Sequence, residues 1–438
     1  MGETQTRKYP FGFYVCSASF TFERMAYYAA KWLIAVFVVA TIADGGLGLS
    51  DVDGAKMSAN LVAFTYLAPL IGGYISDNWI GARYCVPVGM LLMGAGYFVG
   101  GQATSAGMVN LMIILVAVGT GLFKGNISAL NGRQFDNKEV LDSAFSIQYS
   151  FVNIGSFIGT TIIGLIITNT GNYSLAFNLC GIVMVLGTVW FVLGSRSLGD
   201  IGKKPFRFTK EAVEEKKETI ESKPLTKKEK QRVLAIILVS LFSIIFWLFW
   251  YLAYMPVYYY WPDHMNWSIG SFEVPTAWFD SLNAFCCISM GPILAGVWSK
   301  LAKRPQGDLS MFKKTGLGLV LLGISFVVFA LADVTRGGGM ANLLWVIAFG
   351  ILLSLGEMVF SPLGNSFVSK FAPAKLLSVM MGVWTFATFI AAKSYGYVYE
   401  FLGNFDFAPA YFGVAVIALA AGVILWVISG KLDSLTDD

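Results

Sequence analysis

Apolar residues run through this chain in long blocks separated by short polar turns. Stretches of about 20 residues with few charges recur from near the start to near the end. A helix of that length, rising about 1.5 Å per residue, crosses the roughly 30 Å hydrocarbon layer of a bilayer. The pattern predicts twelve spans, at about 11–42, 54–77, 84–101, 108–132, 142–168, 173–195, 232–260, 272–299, 312–333, 342–369, 376–402 and 408–430. One block breaks the rhythm. Between the sixth and seventh spans, "RSLGDIGKKPFRFTKEAVEEKKETIESKPLTKKEKQR" holds twelve Lys/Arg and seven Asp/Glu, too polar to enter lipid. It reads as a surface helix around residues 209–222 or as a flexible tether. The chain thus divides into an N-terminal six-helix half (1–195), a linker (196–231) and a C-terminal six-helix half (232–438).

Charge orients these spans. With both termini on one side, that side collects Arg7, Lys8, Arg83, Arg133, Lys138, the basic linker, Lys300, Lys303, Arg304, Lys313, Lys314, Lys370, Lys375 and Lys431. The opposite loops offer little beyond Lys56 and Arg336. Because cytoplasmic loops carry the Lys/Arg excess, both termini and the linker are expected in the cytoplasm, beneath a plasma (inner) membrane. No short apolar core leading to a small-residue cleavage site follows Arg7 and Lys8, so no cleavable signal is expected.

Composition agrees: 56% of residues are hydrophobic and 13% charged, against about 25% charged in soluble domains. Mean hydropathy is +0.65. An all-α membrane protein follows. The five cysteines, Cys16, Cys85, Cys180, Cys286 and Cys287, lie in or beside apolar segments and read as small buried hydrophobes rather than a disulfide or zinc framework. The single histidine, His264, cannot build a metal site and reads as interfacial. No cofactor, metal or nucleic-acid partner is implied, and protein partners are not legible. An intramembrane hydrolase would need a nucleophile–base pair or metal ligands. One loop histidine, with no paired Asp in the spans, argues against an enzyme, and no filter pattern suggests a channel.

The informative exceptions are charges inside spans. In "SFTFERMAYY", Glu23 and Arg24 stand side by side within the first span. An unpaired charge at mid-bilayer costs roughly 2.5–3.5 kcal/mol on insertion scales, so these groups are expected to face a protein interior or a watery cavity. Adjacent helix residues point about 100° apart, so the two are expected to line neighbouring sectors rather than pair. From Arg24, the i+3, i+4 and i+7 positions are Tyr27, Tyr28 and Lys31, which share one face. Other spans add Lys124 and Asn126, Gln148, Tyr149 and Asn153, Glu357 before Ser361 and Pro362, and Trp384 with Lys393. Counting these, Arg24, Lys31, Lys124 and Lys393 stand against Glu23 and Glu357, an excess of positive charge that suits a carboxylate-bearing substrate. A basic residue in one half and an acidic one in the other form the breakable link that alternating access needs.

These segments carry a resemblance. Two six-span halves joined by a long link resemble the major facilitator fold. The loop "GGYISDNWIGARYCVPVG", with Asp77, Gly81 and Arg83, resembles that fold's loop 2–3 motif, in which the acid can pair with Arg83; Asn78 stands where a basic residue is usual. More narrowly, "FERMAYY" resembles the E-x-x-E-R-F-x-Y-Y motif of proton-dependent oligopeptide transporters. "GTGLFKGNIS" resembles that family's span-4 segment, with Gly125 in place of proline. "NIGSFIG", "FW" at Phe246–Trp247, "SLNAF" and "GEMVFSPLGNSFVSKFAPAKLLSVMMGVW" resemble its segments in spans 5, 7, 8 and 10–11, in order.

The resemblance implies a symporter importing di- and tripeptides with protons. Arg24, Tyr27, Tyr28, Lys31, Lys124, Asn153, Asn283, Glu357 and Trp384 would line the peptide site. Glu23 and Glu357 would couple protons, and Lys124 with Glu357 would form a gating salt bridge. The departures bear on coupling. The motif's first Glu is Phe20 here, and the acidic positions after "FW" are Trp250 and Tyr251, which leaves Lys31 without its extracellular-side partner. A span-2 tyrosine of the peptide pocket corresponds to Leu61, with Tyr66 a turn further on, and Lys393 has no place in the pattern. Glu23 and Glu357 are then the acids expected at depth. A same-fold facilitator or symporter for another small anionic or zwitterionic metabolite, with altered or absent proton coupling, is the alternative.

Overall fold

The computed structural model describes residues 9–135, 138–208, 225–305, 307–361 and 363–436. The surface helix expected around 209–222 lies outside these residues. Among the described residues the chain forms twelve long helices: α1 Phe11–Val39, α2 Asp51–Ile75, α3 Ala82–Gly101, α4 Ala106–Gly132, α5 Lys138–Thr170, α6 Tyr173–Gly194, α7 Lys227–Leu252, α8 Trp278–Ala302, α9 Met311–Arg336, α10 Leu344–Phe360, α11 Leu377–Leu402 and α12 Phe407–Thr436. Nine helical stretches among the described residues are long and apolar enough to cross a membrane. The other three are α1, which carries Glu23, Arg24 and Lys31, the 17-residue apolar α10, and α11.

Side chains punctuate several helices. Ser105 caps α4 by accepting the Met108 amide, and Ser310 caps α9 by accepting that of Lys313. A capping box starts α7: Thr226 accepts the Glu229 amide at 3.2 Å, while Glu229 accepts that of Thr226 at 2.7 Å. Both satisfy donors that have no partner within the helix.

The expected seventh span breaks after Leu252 into two short helices, Tyr254–Tyr259 and Trp261–His264. A short hairpin follows, β2 (Ser268–Ile269) on β3 (Phe272–Glu273), so α8 begins at Trp278 rather than near 272. Ahead of it, β1 (Met265–Asn266) pairs in parallel with β4 (Ala341–Asn342) before α10. The tenth span is also divided, with a second helix at Leu363–Phe371 after α10 ends. All five cysteines are buried thiols, and His264 stacks on Tyr260 at 4.0 Å.

The described residues fall into two compact units. The first comprises Met1–Ala30, Leu67–Gly159 and Tyr173–Ile220; the second comprises Lys31–Tyr66, Thr160–Asn172 and Glu221–Asp438. In the first, α3 packs on α4 and α6. A Cβ on Gly72 would lie 2.1 Å from the Gly121 carbonyl oxygen, so α2 and α4 touch backbone to backbone, as small residues allow in lipid. Asn131 donates to Gln148 at 2.5 Å and to Ser17 at 3.3 Å, fixing α4 to α5 and α1.

In the second unit, α9 packs on α10 and α12, α8 on α10, and α7 on α11. Phe329, Phe349, Phe407 and Tyr411 build its aromatic core. The far ends of α1, α2 and α5 belong to this unit. Trp32 donates to Thr276 at 3.2 Å, Thr160 and Thr161 meet Ser281 at 2.7 and 2.9 Å, and Lys56 pairs with Glu400 at 2.8 Å.

Candidate functional site

In the first unit the site is built on α1. Glu23 is fully buried and Arg24 nearly so. The guanidinium holds the carboxylate with two bonds, from Nε to Oε2 and from Nη2 to Oε1, each 2.5 Å. The expectation that these neighbours would not pair is therefore corrected. Their Cβ vectors diverge, but arginine's long stem swings the planar fork back onto both carboxylate oxygens, a geometry that lysine lacks. As the face analysis predicts, the guanidinium also lies 4.4 Å from the Tyr27 ring and 5.6 Å from that of Tyr28. Such cation–π contacts strengthen when water is excluded.

Lys124, half-buried on α4, is within electrostatic range of Arg24 and Glu23. Asn153 is buried on α5 and spends one N–H on the Tyr149 carbonyl at 3.0 Å, one turn earlier. Phe20 packs edge to face on Phe123 at 5.3 Å. In the turn after α2, Arg83 does not pair with Asp77. Its Nη1 donates to the Gly199 carbonyl at 2.5 Å and its Nη2 reaches Ser195 Oγ at 3.5 Å.

In the second unit Lys31 has an acidic partner, contrary to expectation. Its ammonium lies 3.0 Å from Asp280 Oδ1, with side-chain exposures of 5% and 2%. Tyr258 donates to the other carboxylate oxygen at 2.5 Å, and the Tyr254 ring sits 3.9 Å from the ammonium. The acid comes from α8, three residues before Asn283 and hence on the same helix face. Glu23 and Glu357 are therefore not the only acids at depth. The sequence signal was available: "WFDSLNAF" carries an acid inside an apolar run, and Lys31 required a counter-charge.

Asn283 and Glu357 are brought together. Asn283 Nδ2 donates to Glu357 Oε2 at 2.7 Å and to Ser354 Oγ at 3.0 Å, so the amide orients the carboxylate. Tyr251 donates to Tyr66 at 3.0 Å, and Leu61 is buried. Lys393 is placed too: it bonds Asn60 Oδ1 and lies near the Phe64 and Tyr397 rings. Trp384 is buried, its ring occupying the space that a Cβ on Gly364 would take.

Known proteins resemble this arrangement along nearly their whole length. The chain is 26% identical over 468 residues to the uncharacterized transporter YclF of Bacillus subtilis, covering 96% of this chain and 94% of that protein. It is 24% identical to dipeptide and tripeptide permease A of Escherichia coli K12, covering 98% and 94%. A crystal structure of a peptide transporter POT in complex with sulfate superposes with a TM-score of 0.89 at 24% identity, covering 98% of this chain and 96% of that one. The fold is thus the twelve-helix major facilitator fold of an integral membrane transporter. The model of the POT family, PTR2, matches residues 85–213 and 200–414. The chain belongs to the POT family.

Proposed function

We propose that this protein is a proton-coupled symporter that imports di- and tripeptides across the plasma (inner) membrane by alternating access, with both termini and the linker in the cytoplasm. The observation that carries the reading is the Glu23–Arg24 pair, buried beside Tyr27 and Tyr28. The names of relatives, a dipeptide and tripeptide permease among them, support the substrate class.

Arg24 offers a bidentate fork suited to a peptide carboxylate, but Glu23 occupies it. Protonating Glu23 removes the competitor, so proton uptake and carboxylate binding favour each other. That reciprocity is what coupling requires. Tyr27, Tyr28, Lys31, Lys124, Asn153, Asn283 and Trp384 complete the peptide-binding set. Glu357, oriented by Asn283, serves as acceptor for the substrate ammonium or for a proton. Lys124 and Glu357 pair as the cytoplasmic gate, and Lys31 with Asp280 latches the opposite end. With Asp280 counted, the candidate residues number four cations (Arg24, Lys31, Lys124, Lys393) and three acids (Glu23, Asp280, Glu357). This small positive excess suits a zwitterion better than a dianion.

A second reading, transport of another small anionic or zwitterionic metabolite with altered coupling, is favoured by one observation. Phe20 and Tyr251 stand where the family has acids and are engaged with Phe123 and Tyr66. Uptake of labelled dialanine into proteoliposomes, with and without an inward proton gradient, separates the two. Gradient-driven accumulation competed by tripeptides is expected. Transport of other small anions but not dialanine, or no response to the gradient, would establish the second reading.

A further inference from the structure

After α6 the chain folds back over the turn between α2 and α3 and encloses a cleft of about 430 Å³. Arg133, Asp200, Ile201, Gly202, Lys203, Lys204 and Phe208 line it. The cleft is built rather than incidental. The Arg83 amide donates to the Gly202 carbonyl at 3.0 Å, and its guanidinium ties down Gly199 and Ser195. Gly202 is held at φ +72°, where an added Cβ would strike Leu130. Backbone and glycine geometry therefore fix the loop against α3 and α4.

Three cations face one acid in this lining. Lys203 bonds Asp200 at 2.8 Å and holds its carboxyl below the usual range, so Asp200 stays ionised and the lining keeps a net charge of about +2 at neutral pH. Arg133 is stacked 4.5 Å from the Phe206 ring. The rim is apolar. Phe208 is 65% exposed, and the Ser76–Ile80 turn, on which Phe206–Phe208 packs, exposes Trp79 at 67% and Ile80 at 48%. Aromatic side chains beside Lys and Arg at the end of membrane helices mark the headgroup level of a bilayer.

We propose that this cleft binds the phosphate headgroup of an anionic phospholipid, with Arg133, Lys203 and Lys204 on the phosphodiester and the acyl chains along Phe208, Trp79 and Ile80. A soluble phosphate would use the cations but not the apolar rim, which is why a lipid fits better. The site lies on the membrane face that carries the linker, and basic clusters there attract anionic headgroups. A bound lipid would brace the start of the linker against the α2–α3 turn.

The test uses the full chain, delipidated in detergent, and native mass spectrometry with phosphatidylglycerol, phosphatidylcholine of the same acyl chains, or inorganic phosphate. Phosphatidylglycerol is expected to be retained preferentially. At about fivefold per cation, Lys203→Gln with Lys204→Gln should weaken it about 25-fold while leaving phosphatidylcholine unchanged. Lys203→Arg with Lys204→Arg should keep it. Equal retention of the two lipids by the wild type, or full retention of phosphatidylglycerol by the glutamine variant, would overturn the proposal. Inorganic phosphate binding as tightly as phosphatidylglycerol would overturn it in favour of a soluble anion.

Discussion

Replacing Asp280 with Asn removes one charge from the buried pair that joins α1 to α8, without changing side-chain size. The ammonium of Lys31, 3.0 Å away and 5% exposed, then loses its paired carboxylate. Breaking a buried pair by removing one partner costs about 3–5 kcal/mol. The Tyr254 ring, 3.9 Å from the ammonium, offsets about 1–2 kcal/mol of that. A net loss of about 2–3 kcal/mol falls on the state in which α1 and α8 are latched, a shift of roughly 30- to 140-fold toward the unlatched state. Ala277, fully buried just before α8, can report it as Ala277→Cys, because the five native thiols are all buried. In sealed vesicles, a membrane-impermeant maleimide should label this cysteine at least tenfold faster when Asp280→Asn is present. Lys31→Met with Asp280→Leu removes both charges and should restore slow labelling, since apolar replacement of a whole buried pair is close to neutral. Equal labelling rates in all three backgrounds would refute the latch.

Lys124→Ala should abolish gradient-driven dialanine uptake, and concentrative transport at the wild-type rate would remove Lys124 from the gate. Glu23→Gln keeps a hydrogen bond to Arg24 but no titratable proton, so accumulation against a gradient should be lost while counterflow persists. A pH gradient that still drives accumulation in this variant would exclude Glu23 as the coupling group. Gly72→Ala pushes a methyl against the Gly121 carbonyl and should destabilise the fold by about 1–3 kcal/mol, read as a lowered melting temperature; an unchanged melting temperature would show that α2 and α4 separate freely. A cysteine placed at position 215 should react only from the cytoplasmic side in oriented vesicles, and labelling from outside would invert the proposed topology.

The long helices were legible because hydrophobic length is a local property, and so was the face of α1 that carries Arg24, Tyr27 and Tyr28, since i+3 and i+4 spacing is fixed by helix geometry. Tertiary chemistry was less so. Nothing local to Lys31 identifies an aspartate some 250 residues later as its partner; that pairing exists because two buried charges must neutralise one another. The Glu23–Arg24 pairing escaped a reading based on Cβ directions because the reach of an arginine side chain exceeds the angular gap between neighbours. The break near Leu252 lies inside an apolar run that continues to Tyr259, so hydropathy does not mark it, whereas the one near Phe360 comes where the sequence reads Ser361–Pro362 and turns polar, and the proline gave a local signal.

The Phe20–Phe123 contact couples the chemistry of two positions. Where the family motif places a glutamate, this chain has a ring that fills its space against a second ring on α4. Placing Glu at position 20 alone would set a carboxylate against an apolar wall and leave the Phe123 ring without its edge-to-face partner. An acid at this position therefore needs a polar group opposite it, so the two positions, 20 and 123, accept a carboxylate as a pair more readily than singly.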